Sequence, residues 1–313
     1  MTETDLAQQP PETALVLSGE DAVADARPPR LAVRSGRAER VRRAVGVIVR
    51  QPGLVVSILL LAVVVLAAWD PGLFTHRDPI AQDYPRLSGP SAAHWFGTDD
   101  AGRDIYARVV HGASASVKAV VVAVIVGLFV GSGLGLLAAW VGRLVDDIVM
   151  RVIDVLLSVP ALLIALAFFT ALGFGTIHIA IAVGIGNIAS FARVMRAEVL
   201  RIKAFGYVEA AKFSGISRLR IVTRHVVPNA LGPVFVLATL EVGLALLNIS
   251  SLSFLGFGAP PPAPEWGSLV ASGRDFLGAA WWMTTMPGLV VALTVLAANR
   301  VARSLEGNRA VAP

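Results

Sequence analysis

Six long apolar stretches, at about 54–69, 117–141, 148–172, 177–194, 230–250 and 283–301, constrain this chain more than any other feature. Most approach or exceed the roughly 20 residues a helix needs to cross a hydrocarbon core, with the first and fourth near the short limit. Backbone in lipid must satisfy its own N–H and C=O groups, so these stretches form helices and not open strands. Apolar residues are 55% of the 313 and charged residues 16%, more apolar surface than a soluble domain can bury. The predicted fold is all-α, a polytopic membrane protein of about six transmembrane helices.

Charge sets the orientation. The pI is near 10.2, but the bases lie between apolar runs and not on one compact basic face, which argues against nucleic acid as a partner. With the N-terminus inside, the inner segments hold 21 Lys and Arg and the outer segments 6. That asymmetry predicts both termini in the cytoplasm. Residues 1–26 carry six acids and no base, so 1–36 reads as a disordered cytoplasmic tail, not a secretory signal. Between Arg27 and Arg50 stand eight arginines and one acid, Glu39. Val41, Val45, Ile48 and Val49 follow helical spacing there. This predicts an amphipathic helix over 37–50 on anionic lipid, with a plain juxtamembrane basic cluster as the alternative. The remaining divisions are a first span with its outer loop (51–116), a five-helix core (117–303) and a C-terminal tail (304–313). The chain has no cysteine, which excludes disulfides and thiolate metal sites.

Within the spans, Gly127, Gly131 and Gly135 recur at intervals of four, a spacing that lets helices approach closely in a bundle or at a subunit contact. Pro160 should kink the third span or mark an irregular start. Trp281 and Trp282 suit an anchor at headgroup level. Glu241 falls mid-span, where a charge is costly and must face the bundle, pair or be protonated. It is a candidate for lining a pathway, as are Asn187, Ser190 and Asn248; the alternative for Glu241 is a buried hydrogen bond to Asn187 or Ser190. Asp154, with Asp146, Asp147 and Arg151 near the inner interface, reads as an ion-pair partner. The five histidines show no ligand pair at helical spacing, and no metal site is predicted.

The inner segment 201–229 carries the most meaning. It contains Glu209-Ala210-Ala211, Gly215 and the run His225-Val226-Val227-Pro228-Asn229. Its pattern predicts two short helices: one Ala-rich up to Ser214, a break at Gly215, then a restart capped by Ser217 and stopped before Pro228. The order Glu-Ala-Ala, then Gly215, then the apolar-Pro-Asn close resembles the signature loop of permeases from bacterial binding-protein-dependent importers. Two outer stretches resemble the C-type permease of the dipeptide/oligopeptide/nickel group. They are His94-Trp95-Phe96-Gly97-Thr98-Asp99-Asp100-Ala101-Gly102-Arg103-Asp104 and Leu252-Ser253-Phe254-Leu255-Gly256-Phe257-Gly258 with Glu265-Trp266-Gly267. The likeness covers roughly residues 50–303. Relatives often carry an acid where this chain has Asn248.

The resemblance implies a type I ABC importer permease of the bacterial cytoplasmic membrane, forming half of a translocation pathway for di- or oligopeptides. A sister permease would supply the other half. Two ATPase subunits would dock on the inner loops and hold the ATP and Mg, with no cofactor in this chain, and an extracytoplasmic binding protein would deliver substrate. Glu209, Ala210, Ala211 and Gly215 are then the ATPase-coupling residues, with Glu209 orienting the loop through hydrogen bonds. A permease for nickel or another small solute is the alternative within the group; a secondary transporter is the alternative outside it, although no internal repeat is visible. Neither a His-Glu-x-x-His nor a phosphate-binding Gly-x-x-x-x-Gly-Lys-Ser/Thr occurs, so no catalytic residues are expected here.

Overall fold

The computed structural model describes residues 51–173 and 175–310. The predicted tail and interfacial helix, at 1–36 and 37–50, lie outside the described residues. Five helices among those described are long and apolar enough to cross a membrane. They are α1 (Pro52–Trp69), α2 (Ile105–Val141), α5 (Thr176–Lys203), α7 (Arg218–Phe257) and, from Trp282 to Ala310, α9. Between α2 and α5 come α3 (Arg143–Ser158) and α4 (Ala161–Leu172); α6 (Gly206–Phe213) follows α5, and α8 (Trp266–Gly273) follows α7.

The predicted third span is therefore two helices, and Pro160 is the reason. A residue before proline is pushed to extended backbone, and Val159 has φ −92° and ψ 125°. The pair still makes a crossing, because α2 and α5 run parallel. Gly184 meets Ala123 and Val126, Gly127 meets Asn187 and Phe191, Gly131 meets Ile188 and Ala192, and Gly135 meets Ala192 and Arg196. Two parallel helices joined in sequence need a return path across the same thickness. With 16 and 12 residues, α3 and α4 together supply about 40 Å of helix.

At the centre stands α5, which packs on α2, α3, α4 and α7. Of its most apolar stretch 56% is buried, against 22–33% for the other four, so α5 faces protein while the others keep a side for lipid. The predicted close approach is realised on α2. A Cβ on Gly131 would lie 2.5 Å from the Ile188 carbonyl oxygen, and one on Gly135 closer still to that of Ala192. Gly133, on the opposite side, has nothing within 4 Å.

Several boundaries differ from those read in the sequence. α2 begins at Ile105, twelve residues before the apolar run starts at 117. Its first turns carry Arg108, His111 and Ser116, which are sheltered by protein and not by lipid: Arg108 donates to the Pro79 carbonyl at 2.9 Å and Ser116 to Glu265 at 3.4 Å. α7 likewise begins at Arg218 and runs through Pro228. A wider π turn over Val222–Val226, where the Val227 N–H bonds to Val222, puts Pro228 at the start of the next helical stretch, where its missing N–H costs little.

Candidate functional site

The Ala-rich segment after α5 folds as predicted up to its break. α6 turns Val208 and Ala211 inward, into one cluster with Met195, Val199 and Ile202 of α5, Ile221 and Val226 of α7, and Ala139 of α2. Its end explains the four-residue spacing from Ala211 to Gly215. The Ile216 N–H bonds to the Ala211 carbonyl at 3.2 Å and the Gly215 N–H to that of Lys212 at 3.1 Å. This is a Schellman cap, which requires a left-handed residue just past the helix. Gly215 supplies it at φ +74°. The apolar contact that completes the motif is Ile216 in the same cluster as Ala211.

Glu209, Ala210 and Gly215 are exposed, while Ala211 is buried. The carboxylate of Glu209 makes no side-chain hydrogen bond among the described residues, and the expected orienting bond is not formed among them. Ser217 occupies the N-cap of α7 with no side-chain cap bond; its carbonyl accepts from Ile221 at 3.1 Å. The predicted stop before Pro228 is absent for the reason given above, and Asn229 instead donates its side-chain amide to the His225 carbonyl at 2.6 Å. Around this joint large apolar side chains face outward. Phe213 is 86% exposed and Leu219 74%, and Phe205 and Tyr207, also exposed, stack on each other with ring centroids 5.9 Å apart. Large apolar groups bared amid Lys and Arg mark a surface built for protein contact.

The four polar candidates within the spans do not form one cluster. Asn187 is buried against Gly127 with its amide nitrogen unpaired, and Ser190 is half-buried on the same helix. On α7, Glu241 is buried and Asn248 exposed. No hydrogen bond joins Glu241 to Asn187 or Ser190 among the described residues. The same residues gather no set of three His, Asp or Glu side chains fit for a metal ion.

At the far end of the bundle, the two family-like stretches prove to be fasteners. Asp104 caps α2 by accepting from the Ala107 N–H at 2.9 Å, and its other oxygen receives the Arg77 guanidinium and His94 Nδ1, the latter at 2.8 Å. Thr98 donates to the Pro85 carbonyl at 2.6 Å and accepts from the Trp282 indole, through its own carbonyl, at 3.1 Å. Trp282 is thus buried as a latch; of the two predicted anchors only Trp281 is exposed. Glu265 is fully buried and caps α8, accepting from Gly267 at 2.9 Å and Ser268 at 3.0 Å. Trp266 reaches back to the Val109 carbonyl at 2.8 Å.

Sequence reasoning read Asp154 as an ion-pair partner but did not find its base, and it assigned Asp146 no pair; both bases lie on α5. Arg196 holds Asp146 through two bonds of 2.5 and 2.6 Å, and Arg193 holds Asp154 at 2.7 Å. Lys203 also ties back to α2, donating to the Ala139 carbonyl at 2.6 Å and lying 5.4 Å from the centre of the Trp140 ring.

A helix bundle with this joint has counterparts among known proteins. Residues 131–309 match the family described as binding-protein-dependent transport system inner membrane component. The chain belongs to this family. It is 38% identical over 249 residues to the dipeptide transport system permease DppC of Alkalihalophilus pseudofirmus, spanning 80% of this chain and 82% of that protein. It is 39% identical over 246 residues to the probable D,D-dipeptide transport system permease DdpC of Escherichia coli K12, spanning 78% and 81%. A solved amino acid ABC transporter with histidines superposes at a TM-score of 0.52 and 16% identity, over 65% of this chain and 95% of that one. That structure supports the type I importer permease fold alone. As a member of the family the chain is a permease component of an ABC importer and not its ATPase.

Proposed function

We propose that this permease carries di- or oligopeptides, forming half of a pathway completed by a sister permease. Two ATPase subunits bind the α6 face and hold the ATP and Mg, and an extracytoplasmic protein delivers the peptide. The α6 joint is the observation that carries this reading. A rigidly capped short helix, anchored inward by Val208 and Ala211, presents Tyr207, Phe213 and Leu219 outward. Such a lever transmits a push from a partner because its own end is fixed. Closure of the ATPases on nucleotide then tilts α6 and the helices it is anchored to, a rigid-body change between two states. Glu209, Ala210, Ala211 and Gly215 are the coupling residues. Glu209, which makes no side-chain hydrogen bond among the described residues, takes its partner from the ATPase in this reading. The excess of Lys and Arg on the α6 side supports a cytoplasmic position for that end and for both termini. The peptide substrate rests on the names of the relatives at 38–39% identity.

The test is uptake of a labelled dipeptide by vesicles holding the chain with its partner subunits. Uptake should need ATP and the binding protein, and Phe213→Asp should abolish it by weakening ATPase docking. Uptake driven by a proton gradient without ATP would reject the importer reading; ATP-driven uptake of nickel but not dipeptide would reject the substrate.

A further inference from the structure

α3 has little fully buried apolar surface. Ile153 is its one buried side chain, and it rests on Ile188, Ala189 and Ala192 of α5. Leu144, Ile148, Val152 and Val155 point away, each 59–79% exposed. Half-buried Val149, Met150 and Leu156 join this cluster with Leu134 and Ile185, but aliphatic contact is non-directional and resists sliding less than a directional bond does. A two-pronged guanidinium–carboxylate pair adds what such contact lacks, because it fixes both distance and angle.

The structure holds one such pair here. Arg196 meets Asp146 through two separate nitrogens, and the two side chains keep 34% and 19% of their surface. The second pair, Arg193 with Asp154, is single-pronged and more than half exposed on both sides, and exposed pairs of that kind hold little. Arg196 also sits seven residues before Lys203, the residue that ties the end of α5 to α2, and α6 follows directly. These links all lie on the Arg143 side of the break at Val159–Pro160.

We propose that the Asp146–Arg196 pair is the joint that makes α3 move with α5 and the coupling helix. The pair is a positioning device: it touches neither peptide nor nucleotide. It holds α2, α3 and α5 as one body, so that a displacement of α6 reaches the broken crossing as movement of α3 and not as slippage along α5. Bending is left to the break before α4. This inference rests on the importer reading above.

Vesicles bearing the assembled transporter give both readouts, dipeptide taken up and ATP hydrolysed. Wild-type vesicles without ATP-dependent uptake would end the importer reading itself, before the joint is tested. With wild type active, Asp146→Asn should lower peptide carried per ATP about tenfold, the scale of losing a charge-assisted pair. Asp154→Asn should leave that ratio unchanged. A purely structural role would lower uptake and hydrolysis together and keep the ratio, which would overturn the proposal. The exchange Asp146→Arg with Arg196→Asp should restore the ratio, and failure to do so also counts against it. Should Asp146→Asn not assemble, the chain's lack of cysteine offers a second measurement in partners stripped of reactive thiols. Asp146→Cys with Arg196→Cys, joined by a short bismaleimide, should carry more peptide per ATP than the same variant unjoined. A lower ratio on joining would mean that the pair opens during transport, and the proposal would fall.

Discussion

Gly215 allows the proposed coupling joint to be tested by backbone chemistry alone. It sits at φ +74°, and a Cβ built on it meets nothing within 4 Å. Within this chain, a substitution there is therefore opposed by conformation and not by space. Alanine in the left-handed region costs about 1–2 kcal/mol, and about 1.4 kcal/mol is tenfold in an equilibrium. Gly215→Ala should then open the cap between Ala211 and Ile216 about tenfold more often. Asparagine enters this region more readily and should cost less, whereas valine, branched at Cβ, should cost most. Hydrogen exchange at the Gly215 and Ile216 amides would read the cap, and peptide carried per ATP would read the coupling. Both should follow the order glycine, asparagine, alanine, valine. An order following side-chain volume, with alanine milder than asparagine, would refute the conformational argument and point to Gly215 lying flush against a partner.

The same contrast of space and conformation applies on α2. Gly131→Ala must move a Cβ and the Ile188 carbonyl from 2.5 Å to the roughly 3.3 Å that carbon and oxygen tolerate. It should destabilise the purified protein by about 1–3 kcal/mol in thermal unfolding, while Gly133→Ala, facing open space, should be neutral or slightly stabilising. Equal losses for the two would show that close approach to α5 is not what Gly131 provides. Glu265→Ala removes the acceptor of two backbone N–H groups and the Ser116 hydroxyl in a fully buried site. A cost of about 2–4 kcal/mol follows from the lost cap and the stranded donors, with Glu265→Gln milder; unchanged unfolding for Glu265→Ala would refute the capping role.

What the sequence made legible follows from what lipid demands. Apolar runs long enough to cross a bilayer have one backbone solution, so α1, α5, α7 and α9 stand where their runs predicted. Their ends do not, because a helix stops being apolar where protein and not lipid surrounds it. Arg108, His111 and Ser116 broke the apolar pattern at the start of α2, yet the helix continues because Arg108 and Ser116 bond to neighbouring segments and His111 to the Ala107 carbonyl of its own helix. Local chemistry also misled at Pro228, where a π turn absorbs a proline that ordinarily ends a helix. The ion pair of Asp146 and Arg196 was beyond reach for a different reason. The two residues stand 50 apart, each plausible as a lone interfacial charge, and only the parallel packing of α2 and α5 brings α3 under Arg196.

The segment proposed for coupling was the most readable because two constraints there are local. Ala211 must be small enough to tuck under Ile216 at a Schellman end, and Gly215, four residues on, must be able to turn left-handed just past the helix. Both are demands of the backbone, so they leave a fixed spacing in the sequence. The outward residues Tyr207, Phe213 and Leu219 carry no such requirement and leave no pattern. Shape and recognition are thus separable in this joint. Changes at Ala211 or Gly215 should alter the stiffness of the lever whatever partner it meets, whereas changes at Phe213 or Leu219 should alter which ATPase docks and leave α6 folded.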